Sequence, residues 1–299
     1  MSDSIYCGRF APSPTGNLHL GSLLTAVASF LDARSRRGQW LVRMEDLDPP
    51  REVGGAADSI LRTLERLGLH WDSEVLYQSR RLEAYHHTLE ELRKLGLVYA
   101  CGCTRREIRD SAREGASGPV YAGTCRAGLP AGRKPRSVRI RVKDVSIHFD
   151  DRLQGPSEEC LPTEVGDFIL QRADGLFAYQ LAVVVDDALQ GVSDIVRGTD
   201  LLGSTGRQIY LQQVLGLPTP AYLHLPVVVN VRGEKLSKQT GAPAIDPRAP
   251  LPVLTEVLEM LGQQVPAAIG DATLEEFWQW AADVWEPDRI PRSRAIEHR

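Results

Sequence analysis

Two stretches far apart in the chain carry side chains suited to phosphate. The first is Arg9 to Ser22, RFAPSPTGNLHLGS. Ile5 to Ala11 reads as a strand. Pro12, Pro14 and Gly16 stop it, and Leu20, Leu23, Leu24, Val27 and Leu31 then recur at helical spacing. A helix therefore opens near Asn17 or His19. The unbonded N–H groups of a helix N-terminus and the positive end of its dipole form an anion site. Gly21 lets a ligand approach the backbone there, and His19 would face it as a donor. The second stretch is Lys235-Leu236-Ser237-Lys238-Gln239, a turn beyond the apolar run Leu225 to Val231. Lysines three residues apart, with a serine between, suit the β- and γ-phosphates of ATP. Taken singly, the first stretch is also an ordinary Rossmann-type turn and the second a solvated loop; the pair in this order is far more specific.

A third constellation suits a metal. Cys101-Gly102-Cys103 precedes Cys125 by 22 positions, and thiolates on such a glycine turn can share one Zn²⁺. Three cysteines leave the fourth position open to Tyr121, a histidine or water, and a metal-free cluster is the remaining alternative. Cys7 and Cys160 have no such company and read as packing or surface residues. Five cysteines, an odd number with three clustered, fit a reducing compartment better than a disulfide framework. The N-terminus has no leader pattern and no run approaches the ~18 apolar residues of a membrane span, so a cytoplasmic protein without a membrane partner is expected. A net charge of −4 excludes a global field for nucleic acid. Any RNA contact must use local patches such as Arg34, Arg36 and Arg37, or Arg105, Arg106 and Arg109, or Arg133 to Lys143.

The elements that position these residues alternate. Gln39 to Met44 reads as a strand ending at Glu45, Asp46 and Asp48, at the carboxyl edge where parallel sheets bind ligands. Ala57 to Leu67 and Arg81 to Leu95 read as helices stopped by Gly68 and Gly96, with Val75 to Tyr77 a short strand between them. This alternation implies a parallel α/β sheet with right-handed crossovers. Past Ala100, Arg136 to Val142 reads as a strand partnered by Val145 to Phe149, and Asp167 to Tyr179 as a hairpin turning at Ala173-Asp174-Gly175. The sheet then resumes through Gln180 to Asp187 and Val192 to Gly198, followed by a helix over Leu202 to Leu215. Helical patterns at Leu251 to Leu261 and Leu274 to Val284 precede a polar tail from Glu286.

The two phosphate stretches resemble the HIGH and KMSKS signatures of class I aminoacyl-tRNA synthetases, as His19-Leu20-Gly21-Ser22 and Lys235-Leu236-Ser237-Lys238-Gln239. RFAPSPTG and Arg43-Met44-Glu45-Asp46-Leu47-Asp48 are similar to the glutamyl branch. The resemblance runs from Arg9 to about Gln239. Ser22 stands where the signature has histidine and Gln239 where it has serine; the former resembles the shortened glutamyl-queuosine branch. That branch implies Tyr121 as fourth zinc ligand. It also implies Arg9, Ala11, Ser13, Glu45, Tyr179 and Arg197 as glutamate contacts, of which Arg9 and Glu45 are candidates by their strand-end position too. The 60 residues after Gln239 are expected to leave no room for the large anticodon-binding region of glutamyl-tRNA synthetases.

Amino-acid activation requires a carboxylate to attack the α-phosphate of ATP, so the site needs phosphate donors, a Mg²⁺-ATP pocket and handles for the amino acid. His19 and Lys238 would stabilise charge on the transferring phosphate, Lys235 would orient the leaving pyrophosphate, and Gly21 would admit ATP to the backbone. The expected fold is a Rossmann-type parallel sheet, residues 1–99 and 176–240, split by a zinc-containing insertion, 100–175, and followed by a helical region, 241–299. The expected function is ATP-dependent, tRNA-independent activation of L-glutamate and its transfer to the queuosine base in the anticodon of tRNA(Asp) by a monomer. The alternatives are a short glutamyl-tRNA synthetase charging a 3′ end, and a non-catalytic paralogue that binds tRNA or glutamate.

Overall fold

The computed structural model describes residues 5–115, 118–236 and 245–298. The chain opens with β1 (Cys7–Phe10), α1 (Leu20–Arg34), β2 (Gln39–Met44), α2 (Ala56–Arg66), β3 (Leu76–Tyr77) and α3 (Leu82–Lys94). β1, β2 and β3 pair in parallel in that order. The apolar stripe of α1 is buried over the sheet, where Phe30 meets Trp40 edge-on at 5.2 Å.

The middle of the chain supplies β4 (Val98–Cys101), α4 (Arg105–Ser111), β5 (Arg113–Gly115), β6 (Gly118–Val120), β7 (Ser137–Ile140), β8 (Ser146–Asp151), β9 (Gly155–Cys160), α5 (Leu161–Glu164) and β10 (Ile169–Gln171). β4 and β10 flank β7 in an antiparallel sheet, and β5 pairs with β6. The chain continues through α6 (Tyr179–Leu189), β11 (Asp194–Gly198), α7 (Thr205–Leu215), β12 (Ala221–Leu225), β13 (Val227–Val229), α8 (Pro250–Met260), α9 (Leu274–Asp283) and β14 (Ala295–Glu297). β11, β12 and β8 run parallel, with β9 antiparallel at the edge. This sheet continues the first one: Ser193 N–H donates to the Cys7 carbonyl at 2.9 Å, setting the starts of β1 and β11 side by side. The carboxyl ends of β1, β2 and β11 therefore open onto one edge, together with the N-terminus of α1.

Two expectations are corrected and two refined. Gln180 to Asp187 is helix α6, because a helix buried on most of its circumference shows the same unbroken apolar run as a buried strand. The segment read as partner to β7 belongs to β8, which pairs along its length with β9. The 167–179 hairpin is present over a shorter span: Gln171 bridges Phe177, Arg172 N–H donates to the Leu176 carbonyl at 2.8 Å and Ala178 N–H to the Leu170 carbonyl at 2.9 Å around the turn at Ala173-Asp174-Gly175, and Tyr179 already starts α6. The polar tail contains β14, parallel to β13. It brings the C-terminal region back alongside β13. α8 and α9 pack on α1, with Trp278 Nε1 donating to the Leu67 carbonyl at 2.8 Å. Among the described residues no helix is long and apolar enough to cross a membrane.

Candidate active site

His19 is the N-cap of α1, with extended backbone angles of φ −120° and ψ 170°. Its Nδ1 accepts from the Ser22 N–H at 3.3 Å, while its own N–H donates to Ser22 Oγ at 2.9 Å. This reciprocal cap gives Ser22 a structural role at the position where the signature has histidine. Because Nδ1 accepts, the neutral imidazole carries its proton on Nε2, the donor form needed at a phosphate. A Cβ on Gly21 would sit 3.3 Å from His19 Cε1 and 3.7 Å from the Leu236 carbonyl oxygen. The Leu236 carbonyl thus lies close to the Gly21–His19 turn, and glycine leaves the space between the two phosphate stretches open. Leu236 is held by its N–H to the Val228 carbonyl at 2.8 Å, and Lys235 Nζ pairs with Asp200 at 2.6 Å. Ser237, Lys238 and Gln239 lie outside the described residues.

Arg9 and Arg43 project from β1 and β2 and share one carboxylate. Asp187 Oδ1 on α6 lies 3.2 Å from Arg9 Nε and 2.7 Å from an Arg43 terminal nitrogen. Arg43 also reaches Glu45 at 3.3 Å and Gln190 Oε1 at 2.9 Å. Burial opposes the charge on Asp187, but Arg43 and Arg9 outweigh it and hold the carboxyl below its ordinary range. Glu45 is shifted the other way, because burial outweighs the lowering by Arg43 and Arg9. Losing one partner of such a buried set costs about 3–5 kcal/mol. Tyr179, the first residue of α6, feels Arg197, Glu45, Arg9 and Asp187, and burial pushes its hydroxyl up. Arg9, Arg43, Glu45 and Asp187 form one ion-paired set at the carboxyl edge of β1 and β2. Ala11 and Ser13 line the entering loop, which is pinned to β2 by Glu45 N–H donating to the Pro12 carbonyl at 3.0 Å.

Arg197, at the end of β11, is held by uncharged partners. Its Nε donates to His224 Nε2 at 2.9 Å, and its terminal nitrogens donate to Gln208 Oε1 at 2.7 Å and Thr205 Oγ1 at 2.9 Å. An arginine placed this way is oriented but keeps its charge for an anionic ligand. His224 Nδ1 in turn donates to Asp151 at 2.6 Å.

The cysteine cluster lies in the inserted sheet. The Sγ atoms of Cys101, Cys103 and Cys125 all lie within 4.8 Å of one another. The Tyr121 hydroxyl is 3.4 Å from both Cys101 and Cys103, and Cys103 is 3.6 Å from Cys125. A tetrahedron with metal–sulfur bonds of about 2.3 Å has edges of about 3.8 Å, so four donors of this kind fit one ion. Burial raises the Cys101 thiol, but hydrogen bonding with Tyr121 and the Cys103 backbone, aided by Arg139, brings it down to about 7.

Residues 7–247 match the family described as tRNA synthetases class I (E and Q), catalytic domain. The chain belongs to this family of ligases. This class I synthetase is 57% identical over 292 residues to the Glutamyl-Q tRNA(Asp) synthetase of Aromatoleum aromaticum, covering 98% of this chain and 92% of that protein. It is 58% identical over 291 residues to the protein of the same name from Chromobacterium violaceum, covering 97% of each. A glutamate tRNA ligase crystal structure from Elizabethkingia meningosepticum shares the fold at 23% identity, with a TM-score of 0.81 over 98% of this chain and 67% of that one. Motif reading had reached the same family from two signatures. The motifs include Arg43 without assigning it a role and do not reach Asp187, Asp200, Gln208, His224 or Asp151 of this synthetase. Arg43, two residues before Glu45 at a strand end, and the acidic pair closing QLAVVVDD are the available signals; His224 has none.

Proposed function

We propose that this synthetase activates L-glutamate with Mg²⁺-ATP, without tRNA, and transfers the glutamyl group to queuosine in the anticodon of tRNA(Asp). The observation that carries the activation step is the nearness of the Leu236 carbonyl to Gly21 beside the capped His19. A glutamate carboxylate oxygen attacks the α-phosphorus, the bond to the bridging oxygen breaks, and pyrophosphate leaves. His19 and Lys238 stabilise the phosphate charge, Lys235 steers pyrophosphate, and Gly21 leaves room for ATP. Arg9, Ala11, Ser13, Glu45, Tyr179 and Arg197 hold glutamate, an acid facing its ammonium and an arginine its distal carboxylate. A cyclopentenediol hydroxyl of queuosine then attacks the acyl carbon and AMP departs.

Support for this acceptor comes from the near full-length identity to proteins of that name. We assign Zn²⁺, a structural ion, to Cys101, Cys103, Tyr121 and Cys125, and residues 1–99 with 176–240, 100–175 and 241–299 to catalytic, inserted and C-terminal units of a cytoplasmic monomer. The test is transfer of labelled glutamate to tRNA(Asp) prepared with and without queuosine, and to tRNA(Glu). Label confined to queuosine-containing tRNA(Asp) is expected. Equal labelling of both tRNA(Asp) samples, or of tRNA(Glu) alone, overturns the acceptor.

A further inference from the structure

Two neighbouring carboxylates on α6, Asp186 and Asp187, are engaged in opposite directions. Asp186 accepts from the Tyr85 hydroxyl at 2.6 Å, from Gln78 Nε2 at 2.9 Å and from Arg81 Nε at 3.0 Å, which fastens α6 to α3 and to the segment before it. Asp187 lies one residue on, about 100° further round the helix, and is thereby delivered to the sheet, where it meets Arg9 and Arg43.

Arg43 is fully buried, and its guanidinium is taken up by Asp187, Gln190 and Glu45. Among the described residues its Nε has no hydrogen-bond partner. A buried ionic set with an unpaired donor gains little stability over apolar side chains of the same volume, so its presence calls for a role in the site.

The charges supply that role. Arg9, Arg43, Glu45 and Asp187 sum to zero, and Arg197, held by uncharged partners, adds one positive charge. Glutamate, with one ammonium and two carboxylates, matches that excess. Without Arg43 the total falls to zero, and the excess that attracts an acidic amino acid is gone. The groups facing Glu45 are Arg9 from β1, Arg43 from β2, and Asp187 and Tyr179 from α6. Asp46, next along the chain, is engaged by Ser79, whose N–H and hydroxyl donate to it at 2.8 and 2.6 Å. Burial raises the Glu45 carboxyl most, Arg43 and Arg9 pull it down, and Asp187 pushes it up.

We propose that Arg43 and Asp187 are positioning residues for glutamate activation: Asp187 holds the Arg9 guanidinium in place, and Arg43 supplies the positive charge that keeps Glu45 a carboxylate opposite the substrate ammonium. The inference rests on the proposed assignment of Arg9 and Glu45 to the amino acid.

Glutamate-dependent ATP–pyrophosphate exchange, followed against pH with each substrate varied, tests it in Arg43→Met, Arg43→Lys and Asp187→Asn. Arg43→Met should raise the KM for glutamate about thirtyfold and leave the KM for ATP unchanged. It should also move the acidic limb of kcat/KM for glutamate to higher pH, because Glu45 loses its principal cation. Asp187→Asn should move the same limb to lower pH, because Glu45 loses a neighbouring anion, while the KM for glutamate rises as Arg9 loses its charged anchor. Arg43→Lys keeps the charge and should return the limb to its wild-type position. Residues that only support the fold would lower the thermal midpoint and leave the limb in place. Asp187→Asn preserves side-chain shape, so it carries the test even where Arg43→Met does not fold: a limb that stays or moves to higher pH in that variant overturns the proposal. A wild-type enzyme showing no exchange with glutamate would overturn the substrate assignment itself, which keeps the two failures distinct.

Discussion

Arg197 Nε donates to His224 Nε2 at 2.9 Å, and this bond decides the tautomer of a histidine that no motif marks. Arginine can only donate, so the imidazole proton sits on Nδ1 and meets Asp151. Asp151 thereby reaches Arg197 through a neutral ring, which orients the guanidinium without neutralising it.

Arg197→Ala is expected to weaken glutamate by about 2–5 kcal/mol, the cost of leaving a buried carboxylate unpaired, while the KM for ATP stays near wild type. Exchange kinetics with each substrate varied separately check this. An equal loss for both substrates would place Arg197 outside the amino-acid pocket.

His224 predicts a pH dependence of stability. Burial and Arg197 hold its pKa below the ordinary value, against the opposing pull of Asp151. Below about pH 6.5 the unfolded chain gains a proton that the folded chain does not, so stability falls with falling pH, by up to about 1.4 kcal/mol per pH unit from this group. Asp151 adds its loss only at more acid pH, since its folded carboxyl also lies below its ordinary range. Denaturant midpoints from pH 7.5 to 5.5 should show the slope in the wild type and its reduction in His224→Gln.

Lys238→Ala is expected to slow exchange by about 2–4 kcal/mol in the activation barrier, as loss of one preorganised donor does elsewhere, with an unchanged thermal midpoint. Exchange at the wild-type rate would remove that lysine from the phosphate site.

Freshly purified protein should contain one zinc per chain, and Cys103→Ser should lose it together with stability of the inserted sheet. Metal analysis and thermal unfolding before and after chelation measure both. Tyr121→Phe tests the oxygen ligand separately: retained zinc would leave only the three thiolates assigned.

The chemistry legible in the sequence was that of local motifs. RFAPSPTGNLHLGS specifies a strand, a loop and a capped helix within a few turns of chain, and Cys-Gly-Cys places two thiols on one turn, so neighbouring residues suffice to announce them. Helix α6 was misread because an unbroken apolar run records burial and not backbone period. Tertiary structure alone decided which distant residues meet: Gly21 with Leu236, Arg9 and Arg43 with Asp187, and Arg197 with His224. These contacts depend on the register of β1, β2, β11 and β12 and on where α6 docks, and packing across the whole sheet sets both. A buried arginine takes its partners from that packing, so its role could be read only after the strands were in place.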